Sequence, residues 1–103
     1  MIQDSKVHDA HMITDNDNVA TVVRDIHKGE ELKVKGNGIE KAIVSLSEIP
    51  AGHKIALIDI AKDGQVIKYN EVIGKATNNI SKGEHVHLHN LDGVRARGDL
   101  DEV

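Results

Sequence analysis

A short pattern that recurs along the chain constrains its fold more than any other feature. The pattern is Ile, two variable residues, Gly and a polar residue, and it occurs at residues 26–30, 49–53 and 80–84, with a looser copy at 60–64. In each copy we expect a buried Ile, a tight turn and a Gly in the left-handed conformation. The spacing is too irregular for a solenoid, so the copies are predicted to be corners of one small β fold.

The residues available to fill a core favour strands over helices. The sequence has no Phe, no Trp and a single Tyr, but 12 Ile and 11 Val against six Leu. β-Branched side chains are stiff at χ1 and suit a pleated surface. No segment keeps a helical spacing of apolar residues for long. The chain of 103 residues is therefore predicted to be one compact all-β domain over residues 1–103.

Turn residues divide the chain into short strands. Gly and Asn at 35–38 predict a first hairpin, and residues 62–65 predict the turn of a second one between 53–60 and 66–69. Residues 1–6 are predicted to be frayed, and residues 92–103 form a charged tail. The predicted strands are residues 7–13, 19–23, 31–34, 39–46, 53–60, 66–69 and 85–90.

Charge and composition exclude several classes of function. A formal net charge of −4 and the lack of aromatics argue against a nucleic-acid-binding protein. Without Cys there is no disulfide and no thiolate zinc site. No apolar run approaches the roughly 18 residues of a membrane span, and the N-terminus lacks the apolar segment of a secretion signal. We expect a cytoplasmic protein without a membrane partner.

Three histidines alternate with aliphatic residues near the end of the chain. On one strand, His85, His87 and His89 would share a face while Val86 and Leu88 enter the core. Residues two apart lie about 6.6 Å apart along a strand, so one metal ion would most easily take an adjacent pair such as His85 and His87. A third ligand would need a bend or would come from elsewhere. A solvated polar strand face is the alternative.

Other candidate residues lie at turns and in the tail. Gly52-His53-Lys54 follows the only proline and can offer a proton acceptor beside an anion contact, although it also fits a simple surface turn. Lys68 lies in a predicted strand next to Tyr69. Arg95 and Arg97 can pair with a substrate carboxylate or an acidic partner.

Three ordered segments, residues 49–57, 66–77 and 83–91, resemble the SAF-type domain of the altronate/galactarate dehydratase family. The tail at 95–100 is similar to the altronate branch, and the resemblance spans about residues 16–100. Asn70 and Ala96 stand where the family commonly has Gly. A sister branch, the small subunit of sulfolactate sulfo-lyase, shares the Gly-His-Lys and His-x-His-Asn motifs.

The resemblance implies a β-clip fold and β-elimination of water from a 2,3-dihydroxy acid. The chain would be a small subunit or an excised N-terminal domain, inactive alone, beside a large catalytic subunit that carries the main base and a divalent metal, iron. It implies catalytic roles for His53, Lys54, His85 and His87, and substrate binding by His89, Asn90, Lys68, Arg95 and Arg97. The alternatives are a sulfo-lyase subunit, a non-catalytic sugar-acid-binding or capping module and a stand-alone metal-binding domain. A homo-oligomer is also compatible with the sequence.

Overall fold

The computed structural model describes residues 8–36 and 38–93, and all regular structure in this part of the chain is β. It contains no helix that could span a membrane. The all-β prediction is confirmed. The predictions for residues 1–6, for Arg95 and Arg97 and for most of the tail lie outside the described residues. The strands are β1 (Ala10–His11), β2 (Val19–Val22), β3 (Glu31–Gly36), β4 (Ile39–Val44), β5 (Lys54–Ala56), β6 (Gln65–Lys68), β7 (Glu71–Ala76), β8 (His85–Val86) and β9 (Leu91–Gly93).

The strands form two sheets with two clusters of buried aliphatic side chains, and one of these clusters is shared by both sheets. A six-stranded sheet has the order β4-β3-β1-β2-β5-β8, and a three-stranded sheet has the order β6-β7-β9. All neighbouring strands are antiparallel except β1 and β3. One cluster packs Leu32, Ile43 and Ile55, and the other packs Val19, Val66 and Val86. Burial of β-branched and Leu side chains on strand faces thus replaces the missing aromatics.

The predicted corners are confirmed in all four copies. Ile26 pairs with Ile49 in an isolated bridge, Ile60 pairs with Ile80 in another, and all four side chains are at most 5% exposed. The glycines at 29, 52 and 83 take φ values of 88°, 88° and 92°. In the looser copy Asp63 takes this place with a φ of 71°. Each corner then closes with a backbone hydrogen bond, such as His53 N–H to the Pro50 carbonyl at 3.0 Å.

The residue before each corner Ile caps the turn of the partner corner. Asp25 accepts from the Ala51 N–H at 2.9 Å, and Glu48 accepts from Lys28 N–H at 3.3 Å. The second pair repeats this exchange, since Asp59 accepts from the Lys82 N–H and Asn79 accepts from the Lys62 N–H. The corners are therefore two reciprocally capped pairs. The sequence signal for this is a carboxylate or Asn directly before each Ile.

One predicted hairpin is confirmed and the other is wrong. The first joins β3 to β4 in register from Glu31↔Val44 to Gly36↔Ile39. The predicted second hairpin does not form, because residues 60–64 are a corner and β5 pairs with β2 and β8 instead. The hairpin partner of β6 is β7, through a two-residue turn in which Tyr69 and Asn70 take φ values of 58° and 62°. Asn tolerates this left-handed conformation.

Several strands are shorter than predicted. The predicted strand at 7–13 keeps only Ala10–His11, and the one at 53–60 keeps only Lys54–Ala56. Apolar residues continue past the C-terminal ends of these strands, at Met12-Ile13 and Leu57-Ile58, but the backbone there leaves the strand conformation. Pairing partners, which the pattern does not reveal, set the strand ends.

Two buried polar residues, Asp17 and Asn18, join the two sheets. The Asp17 carboxylate accepts hydrogen bonds from the N–H groups of Ile13 and Asn70, both at 2.9 Å, and from the Thr14 hydroxyl at 2.7 Å. The side chain of Asn18 donates to the Gln65 carbonyl and accepts from the Ile67 N–H. Burial raises the pKa of Asp17, but the hydrogen bonds to the carboxylate outweigh it and lower the pKa to about 2.

We expect Asp17→Asn to lower the free energy of unfolding by about 2–4 kcal/mol at pH 7, because buried donors lose a charged acceptor. Asp17 is ionised in the folded state at pH values where an unfolded Asp, with a pKa of about 3.9, begins to protonate. Its contribution is therefore complete above pH 4 and is lost as the pH falls toward 2. Denaturant unfolding of both proteins across this range checks the prediction.

The control is Glu40→Gln, which removes an exposed carboxylate on β4. It should change stability by less than about 0.5 kcal/mol. Equal effects of the two substitutions, or a difference between wild type and Asp17→Asn that stays constant down to pH 2, would contradict this role of Asp17.

Candidate functional site

The pairing of β5 with β8 brings distant histidines together. The register is Lys54↔Val86 and Ile55↔His85, so the next position outward places His53 opposite His87. Opposite residues of an antiparallel pair project to the same face, and so do residues two apart on one strand. His53, His85 and His87 therefore share one face. The predicted common face of His85 and His87 is confirmed, and His53 is the third member.

The imidazole rings are in direct contact. The rings of His53 and His87 are stacked, with centroids 3.9 Å apart and planes 12° from parallel. Nδ1 of His53 lies 2.9 Å from Nε2 of His85, the distance of an N–H···N hydrogen bond. The ring of His89 is tilted by 45° against His85 at 5.1 Å. All four histidines thus form one cluster at the end of the β5–β8 pair.

The predicted long histidine strand is wrong, because the chain leaves the sheet after Val86. Val86 is fully buried as expected, but Leu88 is 82% exposed and does not enter the core. The side chain of Asn90 accepts from the His87 N–H and donates to the His85 carbonyl, both at 2.9 Å. Its own N–H donates to the His87 carbonyl at 3.0 Å. These bonds close a turn over residues 87–90 in place of further strand pairing.

Asn90 therefore stabilises this turn. Its side chain is 2% exposed, and both ends of its amide are hydrogen-bonded inside the turn. In the structure this residue orients His85 and His87, and the substrate contact that the resemblance implies for it stays a prediction. The reason is local, since Asn side chains readily bond to nearby backbone groups in turns.

Burial and neighbouring charges favour neutral imidazoles. Burial lowers the pKa of His85 to about 4, assisted by repulsion from His89, His53 and His87 when these are protonated. The pKa of His87 is also lowered, first by burial and then by His53 and Lys54. At neutral pH His85 is therefore an uncharged ring with one donor and one acceptor nitrogen. Such a ring can accept a proton or bind a metal ion.

Lys54 lies near the histidine cluster, and Lys68 lies near Lys54. Burial and the charge of Lys68 lower the pKa of Lys54, while Tyr69 opposes the shift. The Lys68 ammonium lies 3.4 Å from the ring centroid of Tyr69, a cation–π contact. We call His53, Lys54, Lys68, His85, His87 and His89 the imidazole–lysine face. Positive charge beside neutral imidazoles attracts a carboxylate and places it near proton-accepting nitrogens.

The structure brings together most residues that the sequence singled out. The imidazole–lysine face contains all the predicted catalytic residues and two of the predicted substrate-binding ones. The sequence did not predict Leu88 as a surface residue, because the alternation with Val86 masked the turn. The single Tyr of the sequence, Tyr69, is 54% exposed. A two-residue turn at Tyr69-Asn70 was the signal that could have placed it.

Three of the histidines also lie close enough together to be candidate ligands of one metal ion. One nitrogen from each of His53, His85 and His87 lies within 4.8 Å of the others, and each side chain is partly buried. Neutral imidazole nitrogens suit zinc, copper, nickel and iron better than magnesium or calcium, which prefer oxygen. The donor set therefore fits a divalent transition-metal ion.

Most of the chain matches a known class of domain. The family model described as the altronate/galactarate dehydratase SAF domain matches residues 8–93. The chain therefore belongs to this family, and the resemblance inferred from three short segments is confirmed.

Its relatives include two dehydratases and a sulfo-lyase subunit. The chain is 46% identical to the altronate dehydratase of Bacillus subtilis over 74 residues, which cover 72% of this chain and 14% of that enzyme. It is 42% identical to the altronate dehydratase of Escherichia coli over 94 residues, 84% of this chain and 18% of that enzyme. It is 54% identical to the (2R)-sulfolactate sulfo-lyase subunit alpha of Chromohalobacter salexigens over 47 residues, 46% of this chain and 50% of that subunit.

We expect Asn90→Ala to disorder the histidine cluster while leaving most of the fold in place. The substitution removes two side-chain hydrogen bonds from a buried turn and should lower the free energy of unfolding by about 1–3 kcal/mol. Resonances of His85 and His87 should shift in a spectrum of the imidazole rings, because their backbone is no longer held. Asn78→Ala, at an exposed position, is the matched control. Unchanged ring resonances in Asn90→Ala would contradict the role of this turn.

Proposed function

We propose that this chain is the SAF-domain component of a sugar-acid dehydratase, a lyase that removes water from a 2,3-dihydroxy acid. It acts as a small subunit or an N-terminal domain together with a large catalytic region and is inactive alone. The observation that carries the proposal is the imidazole–lysine face, which lies within the part of the chain matched by the family model. Identities of 42–46% to two altronate dehydratases support it.

The face supplies two things that this β-elimination needs. Lys54 and Lys68 attract the substrate carboxylate, and neutralising its charge makes the neighbouring C–H more acidic. The neutral ring of His85, hydrogen-bonded to His53, can take up a proton or, once protonated, deliver one to the departing hydroxyl group. A divalent metal, which the resemblance implies is iron on the large region, supplies Lewis-acid stabilisation when bound. Arg95 and Arg97 stay predicted substrate contacts.

The proposal assigns only part of the active site to this chain. The chain spans 14–18% of the altronate dehydratases that it matches and half of the sulfo-lyase subunit. The rings of His53, His85 and His87 are only partly buried, and His89 lies exposed at the edge of the cluster. A second protein surface over this face would exclude water and strengthen every charge interaction with the substrate.

The test uses the whole enzyme, either this chain with the large subunit of the same source or the longer chain that contains it. Dehydration of altronate should require the chain. Lys54→Met should raise KM at least about tenfold, since a charged hydrogen-bonding contact contributes roughly 1.5 kcal/mol or more. Lys41→Met, an exposed substitution on β4, should leave the kinetics unchanged. Equal turnover with and without this chain would refute the proposal.

A second candidate is the small subunit of a sulfolactate sulfo-lyase, in which sulfite is the leaving group. It is favoured by the 54% identity to the alpha subunit and by the share of that subunit covered. The same enzyme preparation assayed with (2R)-sulfolactate separates the two, because only one substrate should turn over efficiently. A non-catalytic sugar-acid-binding or capping module is the remaining alternative. Alanine at His53, His85 and His87 would then leave turnover intact.

Leu88 is expected to contact the large region. It is the most exposed of the large apolar side chains in the described residues, and the Asn90 turn holds it rigidly beside the imidazole–lysine face. Leu88→Ser should weaken assembly about tenfold or more without loss of stability, because it removes one well-placed apolar anchor. Sedimentation or calorimetry of the complex measures this.

The matched control is Ile58→Ser, at a side chain that is 50% exposed. Since β5 and β8 are antiparallel, Ile58 lies toward the opposite end of the pair from Leu88. It should leave assembly unchanged. Equal weakening by both substitutions, or none by Leu88→Ser, would exclude Leu88 as the anchor.

A further inference from the structure

We propose that His53, His85 and His87 bind one divalent first-row transition-metal ion on this chain itself, with its remaining coordination positions open to the surface. This goes beyond the proposed function, which assigns the metal to the large region. It does not depend on the reaction, because binding can be measured on the chain alone.

The spacing of the nitrogens carries the proposal. Metal–imidazole bonds are about 2.1 Å long, so neighbouring ligands of one ion lie about 3.0–3.4 Å apart. Nδ1 of His53 and Nε2 of His85 are already 2.9 Å apart. The ligand nitrogens of the whole group lie within 4.8 Å of one another. A shift of about 1.5 Å at the third nitrogen completes the set.

Ring rotation can supply that shift. Each nitrogen lone pair lies in its own ring plane, so those of His53 and His87 do not meet at a common point while the two stacked planes are only 12° apart. The terminal torsion of a His side chain is broad, and turning the His87 ring costs little. The backbone of His87 can stay in place during this rotation, held by the hydrogen bond to Asn90. The nitrogens of His53 and His85 share a hydrogen bond, which the proposed ion would replace.

Binding leaves the rings neutral and balances the protons. One of the two hydrogen-bonded rings carries its proton on the shared side, and that proton moves to the ring's other nitrogen through solvent as the ion enters. Both rings then present a lone pair to the metal and keep one N–H each. No net proton is gained or lost when all three rings start neutral.

The backbone around the ligands is well held. The His53 N–H donates to the Pro50 carbonyl at 3.0 Å, and the His53 carbonyl accepts from the Val22 N–H at 2.9 Å. His85 lies within the β5–β8 ladder. Two of the three ligands are thus fixed by a corner and a strand, and the third is fixed by the Asn90 turn. Pre-organised ligands bind with a smaller loss of conformational entropy.

The donor set defines the class of ion and the number of open positions. Three nitrogen ligands and no carboxylate favour cobalt, nickel, zinc or ferrous iron over magnesium and calcium. They leave one position open in a tetrahedral site and three in an octahedral one. Lys54 lies close enough to lower the pKa of His87, and its charge also weakens cation binding. The same charge would favour an anionic ligand at the open positions.

The test is titration of the untagged full chain with Co²⁺, followed by visible absorption. We expect one ion per chain, and Ala at His53, His85 or His87 should each weaken binding at least about tenfold, because one of three ligands is lost. The matched controls are His11→Ala and His27→Ala, which should keep wild-type affinity. X-ray absorption of the cobalt-loaded chain should show three imidazole nitrogens. Ca²⁺ and Mg²⁺ should not compete.

Circular dichroism checks the fold of each variant, and His87→Gln is a second variant that keeps a polar side chain on the turn. Absence of stoichiometric binding, or equal loss in the control variants, would overturn the proposal. If either result is found while dehydration still requires this chain, the metal site is refuted and the proposed function stands. If the chain binds the metal but dehydration does not require the chain, the proposed function is refuted and the metal site stands.

Discussion

The reciprocal pairing of corners is the constraint on which the rest of the molecule depends. Each corner buries one Ile against the Ile of its partner corner. The residue directly before the partner's Ile accepts a hydrogen bond from the turn of the corner. β5 and β8 follow the corners that begin at Ile49 and Ile80, so these corners determine where the two strands start. In a chain without large aromatics, four small turns that lock in pairs give the short strands fixed ends and a fixed register.

The site is a consequence of that register. His53 directly follows Gly52 of one corner, and His85 lies two residues after Gly83 of another. Antiparallel pairing then stacks His53 on His87. The crowded rings lose solvent and repel one another's charge, so the pKa of His85 falls to about 4. The corners thus set the strand register, and that register in turn produces neutral imidazoles beside Lys54.

Local chemistry was predictable from the sequence, whereas pairing across the chain was not. The Ile-x-x-Gly pattern predicted the corners because it specifies one turn, and the Gly and Asn run at 35–38 predicted the first hairpin. The wrong second hairpin assigned a partner to β6 from order along the chain, but the chain crosses between sheets at residues 60–64. For the site, alternation placed His85 and His87 together. It misplaced Leu88, because one buried Asn ends the strand.

The central claim is that the β5–β8 register joins His53 to the histidines of the C-terminal turn. Two-dimensional NMR of ¹⁵N-labelled imidazoles tests it most directly, since tautomers and contacts between rings are both visible. The structure predicts one fixed tautomer each for His53 and His85 at pH 7 and cross-peaks between the rings of His53 and His87. Rings that exchange between tautomers, with no contact across the two strands, would contradict it.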